Sequence, residues 1–259
     1  MVKEKVIMNL KGKIAMVTGG SGALGGVHCL SLAKAGCNVA ITGYRHMEKA
    51  EAVAKEIQTL GKKAIAVKMD VANLDEVREG VKKVEEGLGH IDILVNNAAF
   101  GIVRAVTLVN MDKKDWDYDL SVNLTGAFNT IKCCMSGMLE RGWGRIINIS
   151  TITGIMGGMG QCSYAATKAG LIGLTKTVAL EGARKGVTCN ALVLGAFDAG
   201  AFHEVALEFR ERIIKSIALR RAGDPQEVSN VLVFLASEES SYLTGETIEV
   251  SGGAGLFTF

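Results

Sequence analysis

The stretch Ile14-Ala15-Met16-Val17-Thr18, running directly into Gly19-Gly20-Ser21-Gly22-Ala23-Leu24-Gly25-Gly26, decides the fold. The first five residues form an apolar run of strand length, too short for a buried helix. Glycines follow at once, and a helical stretch runs from about residue 25 to 35. Gly20-x-Gly22-x-x-Gly25 is a GxGxxG turn. A pyrophosphate is held by bare backbone N–H groups at a helix N-terminus, and a Cβ would keep it away. In a chain with 32 glycines the motif alone says little. Its place after a first strand and before a helix gives it weight over an ordinary glycine-rich turn.

Outward from this turn the pattern repeats. Val39–Thr42 reads as a second strand and Met47–Leu60 as a helix closed by Gly61. Strand three covers Ala64–Met69, a helix about 74–88, and strand four Ile91–Val95. Long helices at about 112–140 and 162–184 flank a fifth strand at Arg145–Ser150. A sixth strand covers Val187–Val193, a helix starts at Pro225, and a last strand covers Thr247–Val250. Alternating strands and helices imply parallel pairing with right-handed crossovers. The expected fold is therefore α/β: a single-domain, doubly wound (Rossmann) parallel sheet of about seven strands with helices on both faces. Residues 1–259 are read as one dinucleotide-binding and catalytic domain with a lid segment at about 196–222.

Composition agrees. The chain has 259 residues, 48% hydrophobic, with one proline, and 29 basic against 27 acidic side chains. No long basic run invites nucleic acid or an anionic membrane, and no apolar run is long enough to span a bilayer. Six scattered cysteines show no zinc-ligand spacing, so no metal is expected and the thiols read as reduced. Met1–Leu10 lacks the features of a signal peptide. A cytoplasmic location is expected.

Tyr164 and Lys168 stand at i and i+4 in a helical stretch and share a face. Bringing a phenol from its usual ~10 to about 7 takes ~4 kcal/mol of preferential phenolate stabilisation. One ammonium at ~4 Å supplies about that at an effective dielectric near 20. Such a phenol can protonate a developing alkoxide during carbonyl reduction, or deprotonate the alcohol in reverse. A surface cation over an aromatic ring is the plainer reading of Tyr-x-x-x-Lys. Ser150-Thr151 upstream, at the end of strand five, favours a site, because ligands of doubly wound sheets sit beyond the carboxyl ends of the strands.

With these residues in view, the sequence resembles the short-chain dehydrogenase/reductase family from Lys13 to Gly253. The resemblance is carried by Thr18–Gly25, Asp70-Val71, Asn96-Asn97-Ala98, Asn123, Ser150-Thr151, Tyr164-x-x-x-Lys168 and Tyr242-Leu243-Thr244-Gly245. It is most similar to the 3-oxoacyl-thioester reductase and small-alcohol dehydrogenase branch. The resemblance implies Tyr164 as acid/base, Lys168 tuning it and holding the nicotinamide ribose, and Asn123 anchoring a water on the way to Lys168. The competing reading of Asn123 is a polar residue that distorts its helix. The implied cofactor contacts are Gly19, Ser21, Gly22, Leu24, Gly25, Asp70, Val71, Asn96, Ala98, Tyr164, Lys168 and Gly195. A homotetramer with the two long helices between subunits is implied as well.

Four features depart from the family pattern. Thr151 stands where the catalytic serine is usual, thirteen residues before the tyrosine, and Ser150 beside it should face the other way. Ala23 replaces a phosphate-loop glycine, and Ala99 ends the Asn-Asn-Ala-Gly pattern. Leu194-Gly195 replaces Pro-Gly, with Ala199 where a threonine usually grips the carboxamide.

Cofactor preference is read from the end of strand two, Thr42-Gly43-Tyr44-Arg45-His46, which holds no acid to take a ribose 2′-OH. Arg45 can clamp a 2′-phosphate, and Tyr44 or Arg45 can cover the adenine. NADP(H) is expected to be preferred, with NAD(H) possible. The expected function is hydride transfer between NAD(P)(H) and a ketone or secondary alcohol, a 3-oxoacyl thioester or cyclic ketone among the candidates. The alternative is a non-catalytic dinucleotide-binding sensor or scaffold. A nucleotide-sugar epimerase shares Tyr-x-x-x-Lys but carries an added substrate domain for which this chain is too short. His28 and His46 read as solvent-facing or turn residues, Met156 and Met159 as pocket-lining, and Trp116 and Trp143 as packing.

Overall fold

The computed structural model describes residues 8–256; most of the Met1–Leu10 reading lies outside them. Seven strands form one parallel sheet in the order β3-β2-β1-β4-β5-β6-β7. They are β1 (Ile14–Val17), β2 (Asn38–Gly43), β3 (Ala64–Lys68), β4 (Ile93–Asn96), β5 (Gly144–Thr151), β6 (Val187–Leu194) and β7 (Thr247–Val250). The helices are α1 (Ala23–Ala35), α2 (Met47–Thr59), α3 (Leu74–Leu88), α4 (Lys113–Leu120), α5 (Gly126–Arg141), α6 (Thr153–Met156), α7 (Cys162–Gly182), α8 (Ala201–Glu204), α9 (Leu207–Ser216) and α10 (Pro225–Ala236).

The central strands are buried along their whole length, as strands covered by helices on both faces must be. Two apolar cores result, one on each face. The first packs α1, α2 and α10 on the sheet, and the second packs α3, α5 and α7. The chain order reverses between β1 and β4, which opens a crevice at their carboxyl ends.

Two expectations need correction. The helix expected over about 112–140 is α4 and α5 joined by a π-helical turn, Ser121–Thr125, with Asn123 at its centre. π turns commonly mark functional positions in helices. His28, expected to face solvent, is fully buried between α1 and α10. Ser229 Oγ donates to the Pro225 carbonyl and lies 2.8 Å from His28 Nδ1, so Nδ1–H is the donor to Ser229. Nε2 is left without a partner. Burial pushes the imidazole down to about 4. His28 lies off the outward stripe of α1 formed by Ala23, Val27, Leu30 and Lys34, so it turns to a neighbouring helix instead of water.

Candidate active site

The glycine turn is shaped by backbone contact. Gly19 has φ of +63°, and a Cβ there would lie 2.9 Å from the Ala98 Cα. A Cβ on Gly25 would come within 2.3 Å of the Gly19 carbonyl oxygen. The turn is fastened from β4: Asn97 Nδ2 donates to the Thr18 and Gly19 carbonyls, and Asn97 N and Ala98 N donate to Thr18 Oγ1. Asn97 was not singled out among the expected contacts, because its work is to hold the loop. Helix α1 begins on Gly22 with no side-chain cap. Its first N–H groups therefore lack a side-chain acceptor, the arrangement that accepts a phosphate. The cradle fits a dinucleotide pyrophosphate.

Beside it lies a cleft of about 170 Å³. Of the expected contacts, Gly19, Ser21, Tyr44, Arg45, Asp70, Val71 and Ala98 line it. Gly22, Leu24 and Gly25 lie behind, in the turn and the start of α1. Asn96 is not in the cleft. Its side chain is buried, donating to Asn148 Oδ1 and accepting from Thr130 Oγ1. Gly195 follows β6, packed against Ser251. Phe100 and Tyr118 are cleft residues that the sequence reading missed. Their rings meet edge-to-face with centroids 4.9 Å apart, and Arg45 reaches the Tyr118 hydroxyl at 3.4 Å.

Tyr164 and Lys168 sit one turn apart on α7, both almost fully buried. Lys168 Nζ donates to the Ile149 carbonyl at 2.7 Å and lies 5.6 Å from the centre of the Tyr164 ring. Burial lowers Lys168 from 10.5 to about 8 and raises Tyr164 above the usual phenol value. The expected lowering of the phenol is thus absent in the protein by itself. Desolvation outweighs the ammonium, whose hydrogen bond goes to a carbonyl. Asn123 connects this pair to the cleft. Its Oδ1 accepts from Phe100 N, while Nδ2 donates to the Phe100 carbonyl and to Thr167 Oγ1. The Asn123 side chain is therefore occupied by protein partners, and its place in the π-helical turn accords with the helix-distorting reading.

At the end of β5, Ser150 Oγ donates to the Lys168 carbonyl and is buried. Thr151 is partly exposed, and its Oγ1 donates to the Leu194 carbonyl at 3.0 Å. The 196–222 segment folds as α8 and α9, followed by a loop joined to Phe197 through a bridge with Gly223. Exposed Ile155, Met156 and Met159 precede Tyr164, and exposed Leu207, Phe209 and Leu219 lie on or after α9. Among the described residues no His/Cys/Asp/Glu group could hold a metal, and no helix is long and apolar enough to cross a membrane.

The family whose sequence model matches is described as Enoyl-(Acyl carrier protein) reductase, over residues 23–255. The 3-oxoacyl-[acyl-carrier-protein] reductase FabG of Staphylococcus epidermidis is 41% identical, over 93% of this chain and 98% of that protein. Nodulation protein G of Azospirillum brasilense is 42% identical over 93% and 97%. A Sinorhizobium meliloti structure described provisionally as a short-chain alcohol dehydrogenase superposes with TM-score 0.90 at 34% identity, covering 96% of this chain and 98% of that one. An Agrobacterium tumefaciens structure described provisionally as a gluconate dehydrogenase gives TM-score 0.92 at 30% identity, covering 98% and 100%.

Proposed function

The chain belongs to the short-chain dehydrogenase/reductase family, and from that premise we propose how its own residues run the reaction. It is an NAD(P)-dependent oxidoreductase acting between a ketone and a secondary alcohol. One observation carries the site assignment: Lys168 is buried beside Tyr164 with a carbonyl as its hydrogen-bond partner. An ammonium held there costs stability, and perturbed groups of this kind gather at functional sites.

The nicotinamide dinucleotide supplies or accepts the hydride when bound. The Gly19–Gly25 turn and the open N-terminus of α1 would hold the pyrophosphate, with the cleft residues Asp70, Val71 and Ala98 available to the adenosine half. Tyr164 passes the proton to or from the substrate oxygen. Lys168, with its Nζ 5.6 Å from the centre of the Tyr164 ring, would hold the ribose. Thr151 turns its hydroxyl from the Leu194 carbonyl to the substrate oxygen, and Asn123 keeps Phe100 and α7 in register. Ser21 and Arg45 border the cleft together, and that pairing supports a preference for NADP(H), with NAD(H) accepted.

The substrate is a small carbonyl or alcohol compound. A 3-oxoacyl thioester or cyclic ketone suits the exposed apolar side chains of Ile155, Met156 and Met159 just ahead of Tyr164, and the name of the 3-oxoacyl-[acyl-carrier-protein] reductase relative points to the first. The whole chain acts as one catalytic domain, with 196–222 as its lid. We place it in the cytoplasm as a homotetramer joined through α5 and α7, where Phe128 and Leu180 are exposed. A non-catalytic sensor would have no use for a buried Tyr–Lys pair. The test is turnover on a ketone panel, followed as dinucleotide absorbance. Tyr164→Phe should abolish turnover and leave dinucleotide affinity within about twofold; a variant with near-parent rates overturns the assignment.

A further inference from the structure

Asp119 on α4 is fully buried, one turn before Asn123. Ser163 Oγ donates to its Oδ2 at 2.5 Å and Arg104 Nη1 at 3.3 Å. Asp115 stands farther from Arg104, at 3.8 Å. Gly101 packs directly on the carboxylate: a Cβ there would lie 2.8 Å from Oδ2 and 2.9 Å from Oδ1. Oδ1 has no hydrogen-bond partner. A buried carboxylate with one oxygen unsatisfied is a poor stabilising device, since desolvation offsets much of the ion pair. Its placement therefore calls for another account.

Ser163 immediately precedes Tyr164 in the first turn of α7. That helix has no side-chain cap and no acidic residue in its first turn. Three other helices supply their own. Asn73 caps α3 ahead of Asp75 and Glu76, Asp112 caps α4 ahead of Asp115, and Asp224 forms a capping box on α10. Asp119 brings to α7, from a different helix, the carboxylate that α7 itself lacks, and a negative charge at a helix N-terminus is favourable. On its other side Asp119 holds Gly101 and Arg104, in the segment that follows Phe100. Phe100 and Tyr118 line the nucleotide cleft.

We propose that Asp119 is a positioning residue: through Ser163 and Arg104 its carboxylate fixes the first turn of α7, and so the Tyr164 phenol, to the wall of the nucleotide cleft. The inference rests on Tyr164 being the acid/base. Asp119→Asn keeps the shape and removes the charge, while Ser163→Ala removes only the link to α7.

The experiment compares both single variants and the double variant of the full chain by kcat, dinucleotide Kd and amide exchange. Each single variant should lower kcat about tenfold with Kd within twofold. The double variant should be no worse than the worse single, as for two groups acting through one contact. Amide exchange in the first two turns of α7 should quicken about tenfold, with α10 unchanged. Parent-like kcat, additive losses, or quickened exchange without a fall in kcat each overturn the proposal. If Asp119→Asn does not fold, Ser163→Ala carries the test alone. If the parent turns over no ketone, the proposed function falls, and exchange decides the link: unchanged exchange refutes it.

Discussion

Replacing Lys168 by methionine should make the protein more stable while removing its activity. In the folded chain burial lowers the lysine from 10.5 to about 8. At 1.36 kcal/mol per pH unit, holding the ammonium there at pH 7 costs about 3 kcal/mol. Methionine fills a similar volume without charge. It gives up the hydrogen bond to the Ile149 carbonyl, which is worth about 1 kcal/mol. The net gain is about 2 kcal/mol, or roughly 4–8 °C in Tm for a chain of this size. The pH dependence identifies the cause. The folded value is depressed, so between about 8 and 10.5 the unfolded chain binds the extra proton and parent stability rises with pH. The advantage of Lys168→Met should therefore be full below pH 8 and fade as pH approaches 10.5. Thermal unfolding of both dinucleotide-free proteins across pH 6.5–10.5 reads this difference, and other titrating groups cancel between them. A variant less stable than the parent at pH 7, or a gap that does not change with pH, would refute the argument.

Thr151→Ser should retain turnover, while Thr151→Val should lose about 10²–10³ in kcat, the usual effect of removing one donor to a developing oxyanion; a dead Ser150→Ala beside a near-normal Thr151→Val would move the role to Ser150. Gly43→Asp with Arg45→Ala should reverse the cofactor preference towards NAD(H), read as kcat/KM for each dinucleotide. A Cβ at Gly43 meets Ser21 Oγ at 3.1 Å and the Met47 sulfur at 3.3 Å, so small shifts admit it; a parent that already favours NAD(H) refutes the role of Arg45. His28 is held neutral by burial, with a folded value of about 4 against 6.5 unfolded. Its contribution is present above pH 6.5 and lost as pH falls towards 4, about 3 kcal/mol in all, and denaturant melts of His28→Gln should show a flatter acid limb than the parent.

The sheet was legible because each strand is a short apolar run followed by a turn signal and a helix, and the glycine turn was legible because its glycines fall together in one short stretch. The Tyr164–Lys168 pair was legible as a spacing, but its electrostatics were not. Whether ammonium or burial dominates depends on depth, which spacing does not encode. The side-chain contacts of Asn97, Asp119 and His28 were not legible locally, since their partners stand 78, 44 and 201 residues away in the chain. The one available signal for Asp119 was its place one turn before Asn123, on a face the helix must bury. A carboxylate on such a face requires partners from elsewhere.

The departures from the family pattern make more sense in three dimensions than along the chain. Ala23 puts a methyl where the phosphate loop usually has none. The position of a Cβ on Gly200 lies 3.2 Å from that methyl, and Gly200 itself has φ of +51°. The extra carbon at one position is thus matched by a missing one at the other, across the contact between the phosphate turn and the segment leading into α8. The loss of proline at Leu194 is balanced in a similar way. Gly195 N donates to the Val250 carbonyl, and Phe197 and Gly223 are bridged, with Asp198 N donating to the Gly223 carbonyl and Gly223 N to that of Ala196. The segment after β6 is therefore anchored at its start by the backbone and meets the phosphate turn at Gly200. Beyond it, α8 and α9 have no fully buried residue. The proposed lid is thus fixed at its root and lightly packed beyond it, the arrangement a closing segment requires.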